Sequence, residues 1–319
     1  TKDAYFDYKD FYETAQIAQR LMDDLIDLEV EAIEGIINKI KNDPESKDIK
    51  IRELQLWQNI LNACLKGRRT GTGITSLGDA LAALGVPYGS NYGIATTETI
   101  YRTLKFGAYR ASVDMAKELG AFEVWDHELE KDNPFLNRIK DEFILLNDDK
   151  STEKEPLLRF TKVLGREIWD DMKKYGRRNI ALLTTAPAGT VSIESQTSSG
   201  IEPQFMIDPY TRRKKGNPGD RNFRSDFVDQ NGDHWQEFTV YPPKVKMWME
   251  VTGETDLTKS PWHGHTASAI DWPMRVRLQA AAQRHVDHSI SSTLNLPSDV
   301  TVEQVDEIYR TAWKAGCKG

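Results

Sequence analysis

Residues 180–203 read IALLTTAPAGTVSIESQTSSGIEP. The run Ile180-Ala181-Leu182-Leu183 has the length and composition of a buried strand reaching to about Thr184. The twenty residues from Thr184 carry four Thr and four Ser, are broken by Pro187, Gly189, Gly200 and Pro203, and contain no Lys or Arg. Pro187 and Gly189 bend the backbone, Gly189 lets a ligand come close, and Thr190 and Ser192 add hydroxyls. Successive N–H groups in such a bend form an anion nest, and a helix start would strengthen it. On composition alone the loop reads first as a turn whose Ser and Thr satisfy their own backbone, with phosphate binding as the alternative. It is neither a Walker loop nor a dinucleotide fingerprint, since it has no Gly-Lys-Ser/Thr and no G-x-G-x-x-G.

Working outward, strand, loop and helix recur. Residues 10–42 place Phe11, Ala15, Ala18, Leu21, Met22, Leu25, Ile26, Ile33, Ile36, Ile37 and Ile40 at helical spacing, with a bend expected near Gly35. A second helix is expected over 51–65. A strand over 70–74 then leads into a short helix closed by Gly85 and Pro87. Helices are expected over 98–119, 156–174, 244–252, 272–288 and 302–315, and a strand over 290–296. Residues 126–155 are a charged stretch without a clear period. Asn231-Gly232 between the β-rich runs 226–228 and 235–241 signals a hairpin, and 204–272 reads as an insertion. The pattern implies an α/β fold with a parallel or mixed sheet and helices outside it. Three strands are too few to close a barrel, so the chain is expected to be cut at both ends.

The 319 residues are 39% apolar and 29% charged, enough for a large core. A net charge of -7 provides no basic face for nucleic acid or an anionic membrane surface. Cys64 and Cys317 are the two cysteines, too few for a disulfide framework or a Cys-based zinc site, and a reducing cytoplasm fits. No apolar run reaches the roughly 18 residues of a membrane span, and the N-terminus has no signal-peptide pattern.

Three motifs carry a family resemblance. NIALLTTAPAGTVSIESQTSSGIEPQF (179–205) resembles the phosphate-loop signature of ribonucleotide reductase large subunits, a Pro-x-Gly-Thr-x-Ser turn followed by Thr-Ser-x-Gly-Ile-Glu-Pro. GRRTGTGITSLGDALAALGVPYGS (67–90) is similar to their Gly-Arg-Arg strand-to-helix segment, and HSISSTLNLPSDVTVEQVDEIYRTAWKAGCKG (288–319) to their strand and helix around Asn-Leu-Pro. DPYTRRKK (208–215), the hairpin and the Gly-Cys-Lys-Gly ending are most similar to the adenosylcobalamin-dependent class II enzymes. The resemblance implies that residues 1–319 are the second half of a ten-stranded α/β barrel, with 204–272 inserted. It implies that Pro187, Ala188, Gly189, Thr190, Val191 and Ser192 hold the substrate's phosphates. Ala188 departs from the Thr or Ser often found there, removing one side-chain donor worth about 1 kcal/mol.

The resemblance further implies adenosylcobalamin as the radical initiator, a ribonucleotide substrate, a reducing thiol system and a complementary N-terminal portion. The family's radical Cys lies in an Asn-x-Cys-x-Glu motif that this chain lacks, since Cys64 precedes Leu65-Lys66 and Cys317 precedes Lys318-Gly319. No catalytic residue is therefore assigned here, both cysteines read as helix-packing, and the chain alone is expected to show no turnover.

Other groups read as structural. His263, His265, His285 and His288 have usable metal spacings but are separated by a helix and read as satisfied polar histidines. Arg212-Arg213-Lys214-Lys215 reads as a solvated face, with steering of an anionic nucleotide as the alternative. Arg68 and Arg69 read as structural ion-pairing residues. Two other functions remain open at this level: a stand-alone nucleotide-binding module and a non-catalytic scaffold derived from the reductase. Retention of Pro187, Gly189, Thr190 and Ser192 weighs against the scaffold.

Overall fold

A computed structural model describes residues 4–148 and 159–319. The first helix, α1 (Tyr8–Asn42), begins at Asp7, whose carboxylate accepts the Asp10 N–H at 2.9 Å and so fills a donor position that a helix start leaves open. Its buried residues Tyr12, Ala15, Gln19, Asp23, Ile26, Ile33, Ile37 and Ile40 recur every three, four or seven positions, and the helix runs unbroken through Gly35. Its far end lies against α2 (Lys47–Gly67), which buries no residue fully. The short α3 (Leu77–Ala83) leads by way of Gly85 to α4 (Asn91–Leu119), more than half of which is buried. Two short helices follow, α5 (His127–Glu130) and α6 (Pro134–Asp141).

Two antiparallel strands, β1 (Phe143–Asp148) and β2 (Arg159–Leu164), come next, then α7 (Gly165–Tyr175). The expected helix over 156–174 is thus corrected: its described part starts as a strand, and the helix begins only at Gly165, while residues 156–158 lie outside the described residues. Phe160-Thr161-Lys162-Val163 has β-branched and aromatic residues in near alternation, a signal that the helical period of 165–174 outweighed.

Three parallel segments run side by side as expected. Thr70 and Thr72 donate their N–H groups to Ala181 O and Leu182 O at 3.0 and 2.8 Å, and Thr184 N donates to Thr72 O at 2.9 Å. On the other side His288 N and Ser291 N donate to Leu183 O and Thr185 O. Parallel bridges join Thr72 to Leu183 and Thr185 to Ile290. Gly73 is required by this close approach, since a Cβ there would stand 2.4 Å from Thr184 O. The strand expected over 290–296 pairs only at its start, because beyond Ser291 the Thr293 N–H turns to the Glu202 carboxylate at 3.3 Å. Leu182, Leu183 and Ile290 join residues of α1, α4, α6, α7 and α10 in one core cluster.

The hairpin at Asn231-Gly232 is present. Strand β4 (Phe227–Val228) pairs with β5 (His234–Val240), and β5 pairs on its other edge with β3 (Tyr210–Gly216). Sequence reading missed β3, because Arg212-Arg213-Lys214-Lys215 masks any alternation; five of its seven residues stand in solvent, and beside the backbone ladder to β5 Arg213 reaches Glu237 at 2.8 Å. The short helix α8 (Gly189–Ser195) lies within the hydroxyl-rich loop. The remaining helices are α9 (Pro243–Thr252), α10 (Trp272–Gln283) and α11 (Val302–Lys314), the last with a reciprocal cap between Thr301 and Gln304. No helix among the described residues is long and apolar enough to cross a membrane.

Candidate phosphate-binding site

The platform under the loop is made by buried polar side chains. Arg68 grips both oxygens of Asp23 at 2.8 and 2.9 Å and reaches Asp27 at 2.8 Å, so its expected structural role holds. Arg69, by contrast, is exposed. Asn179 donates to Asp23 and to Arg68 O, and accepts from Gln19 and Ser112. Gln19 also donates to Thr70 and accepts from Thr72. One set of residues from α1 and α4 therefore fixes both the first and second parallel segments. Asp287 does the same from the third: its carboxylate accepts the Leu182 and Leu183 N–H groups at 2.8 and 2.7 Å and the Tyr109 hydroxyl at 2.8 Å.

The four histidines are put to separate uses. His288 Nε2 lies 3.0 Å from Thr70 O, a geometry that places its proton on Nε2. His285 is buried with both ring nitrogens unpaired among the described residues, its Nε2 standing 3.6 Å from Glu98 Oε1. Burial pushes its imidazole down to about 4. Next to it, burial pushes the Lys105 ammonium down to about 8 despite its contact with Glu142. His263 and His265 sit in the turns after Ser260 and Trp262.

Beyond Thr185, whose hydroxyl meets Tyr101 at 3.0 Å, the chain leaves the parallel segments at their carboxyl ends, where open α/β sheets place their ligands. Pro187, Ala188, Gly189, Thr190, Val191 and Ser192 form one continuous turn. Ala188 is the cap residue and Gly189 the first residue of α8. Among the described residues the N–H groups of Gly189, Thr190 and Val191 have no acceptor. Gly189, Thr190 and Val191 are all exposed, and a Cβ on Gly189 would meet nothing within 4 Å. Ser192 is buried, and its hydroxyl donates back to Gly189 O at 2.8 Å, so its proton holds the turn while its oxygen can still accept. Ser195 ties to Val191 O and Thr197, closing the far end of α8.

A cleft of about 270 Å3 beside the turn is lined by Ser192, Gln196, Thr197 and Arg212 among others. Arg212 thus borders the same opening as the loop, although it is exposed and touches Tyr210. The profile of the ribonucleotide reductase barrel domain matches residues 1–319. The chain belongs to that family. It is 29% identical over 268 residues to the vitamin B12-dependent ribonucleoside-diphosphate reductase of Mycobacterium tuberculosis (strain CDC 1551 / Oshkosh), a match covering 79% of this chain and 30% of the relative. The vitamin B12-dependent ribonucleotide reductase of Rhodopirellula baltica is 26% identical over 79% of this chain and 25% of its own length. The ribonucleoside-diphosphate reductase subunit alpha of Mycoplasma pneumoniae is 25% identical over 86% and 35%. The chain spans about a third or less of the curated relatives it matches.

Sequence reading of this barrel-domain chain missed Gln19, Asn179, Ser112 and Asp287. Polar residues inside an apolar helical stripe, as Gln19 and Asp23 are in α1, were the available signal. Cys64 lies on α2 as expected. Cys317 is corrected: it lies past the end of α11, in a turn closed by its N–H to Ala312 O.

Proposed function

We propose that this chain is part of a ribonucleotide reductase that converts ribonucleotides to deoxyribonucleotides by a radical mechanism, and that residues 187–192 hold the substrate's phosphates. The observation that carries the reading is the set of three N–H groups, on the exposed residues Gly189, Thr190 and Val191, without acceptors among the described residues, in a turn at the carboxyl end of a parallel segment. These donors, with the Thr190 hydroxyl, suit a phosphate and have no partner to lose when it binds. The three parallel segments would be strands of a ten-stranded barrel, and 204–272 an insertion carrying the β3-β5-β4 sheet. The half with the radical cysteine, and the reducing thiols, would come from the complementary N-terminal portion and its partners.

Relatives named as vitamin B12-dependent support adenosylcobalamin as the radical source of the assembled enzyme. The residues around the loop do not themselves fit that group: the 270 Å3 cleft is too small to enclose a corrin ring. This chain's part is to bind and orient substrate.

Thr190→Val keeps the side chain's shape and removes a donor, while Gly189→Val blocks close approach. A charge-assisted hydrogen bond is worth about 1.5–3 kcal/mol, so Thr190→Val should raise the nucleotide dissociation constant roughly 10- to 150-fold in the assembled enzyme. Melting temperature should stay within a few degrees, since Thr190 is exposed. Unchanged affinity with a large stability loss would reduce the loop to a structural turn.

A further inference from the structure

Between α3 and α9 lies an open cavity of about 870 Å3, within the roughly 300–1,000 Å3 of small-molecule sites. Helix α9 is apolar on two sides. Val245, Trp248 and Met249 pack with Ala82, Ile207 and Trp262, while Lys244, Met247, Trp248 and Val251, at positions that share a helix face, line the cavity together with Trp262. Met247 is 54% and Val251 74% exposed, so this face is unfilled.

The polar groups of the cavity differ in availability. Asp79 already accepts from Ser198 N–H at 2.6 Å and Trp262 Nε1 at 3.2 Å. Lys259 is held by Glu254 at 2.8 Å. Lys244 forms no ion pair among the described residues. Lys244, whose charge is also felt by the Asp79 carboxylate, thus brings a cation held by no ion pair among the described residues to a cavity walled by two indoles, which stack on flat rings, and that cation favours an anion.

We propose that this cavity is a second ligand site, for a small flat aromatic anion whose ring lies against Trp248 between Met247 and Val251 and whose charge meets Lys244. The cavity also touches Thr197, whose N–H donates to Ser192 O at the end of α8 at 2.9 Å. A ligand here would therefore adjoin the hydroxyl-rich loop without occupying residues 187–191. The inference stands on the cavity's own residues and is independent of the phosphate reading.

The test titrates the chain with two fluorescent probes of similar shape, anionic 1-anilinonaphthalene-8-sulfonate and neutral N-phenyl-1-naphthylamine. Val251→Glu puts a carboxylate into the cavity at an exposed position and should weaken both probes more than roughly tenfold. Lys244→Gln should weaken the anionic probe about five- to tenfold and leave the neutral one unchanged. Anionic-probe affinity unchanged in both variants would overturn the site. Equal weakening of the two probes by Lys244→Gln would overturn the anion. A shift from dimer to monomer by light scattering in Val251→Glu would instead make the face a contact between copies of this chain, and the proposal would fall.

Discussion

The three parallel segments at 70–72, 180–185 and 288–291 and the β3-β5-β4 sheet over 210–240 pair their strands by different means. The sheet is a regular antiparallel ladder in which Tyr210 to Gly216 meet Val240 to His234 residue by residue, with much of it in solvent. The parallel segments make only isolated bridges, yet Leu182 and Leu183 are fully buried. Their alignment comes from side chains that reach in from elsewhere: Gln19 and Asp23 on α1, Ser112 on α4, and Asp287 after α10. A ladder joined by short connections is local and self-sufficient. A set of segments separated by a hundred residues needs polar side chains at the crossings, and each unmet donor there would cost about 1–3 kcal/mol.

That contrast can be broken most severely at Asp23. Asp23→Ala leaves Arg68 with the exposed Asp27 as its remaining carboxylate and removes partners from Asn179 and Arg178. A loss of about 3–5 kcal/mol is expected, the range for breaking one side of a buried pair, read as a fall in chemical-denaturation midpoint. An effect below about 1 kcal/mol would show that the network is not what aligns the segments.

Gly73→Ala comes next. Its Cβ would press on backbone at Thr184 O, and overpacking of this kind costs roughly 1–3 kcal/mol. The local counterpart is Gly232→Ala in the β4–β5 turn, where φ is +81° and no neighbour crowds a Cβ. Only the left-handed backbone is strained there, at a cost of about 1–2 kcal/mol. Hydrogen exchange should report the Gly73 change throughout the core and the Gly232 change only over 226–240.

The pH dependence sharpens the same point, because the parallel core is surrounded by buried titratable groups. His285 has its folded value near 4, below its ordinary 6.5, owing first to burial and opposed by Glu98, with Lys105, Glu142 and Arg102 also facing it. As pH falls, the unfolded chain takes up this proton first. The stability associated with neutral His285 is therefore complete above about 6.5 and is lost as pH drops toward 4. His285→Gln should flatten the slope in that window by on the order of 1–3 kcal/mol. An identical slope in the variant would exclude His285 as its source. The smallest effect is expected at the surface pair Arg213 and Glu237, 2.8 Å apart on the exposed sheet. Arg213→Ala should change stability by about 0.5 kcal/mol or less and lose even that in high salt.

Local pattern made much of this molecule legible. The helical period of α1, the turn signal of Asn231-Gly232, the Gly-punctuated entry to α3 and the motif around Pro187 to Ser192 are each written in a short window, because backbone period and turn chemistry are set by neighbours in the chain. Local pattern failed where distant partners decide. Arg159–Leu164 is a strand because β1 lies beside it, and residues after Ser291 leave the segment because Glu202 takes the Thr293 N–H.

The amino-acid sequence by itself determined the family, the longer helices such as α1, α2, α4 and α11, and the run of residues that forms the hydroxyl-rich turn. Only the tertiary structure decided that, among the described residues, Gly189, Thr190 and Val191 keep free N–H groups while Ser192 spends its proton on Gly189, that Asp23, Asn179 and Asp287 brace the segments beneath, and that Met247 and Val251 of α9 stand exposed. Hydrogen-bond satisfaction and burial depend on which groups, from anywhere in the chain, arrive within about 3 Å, and no local window contains that information.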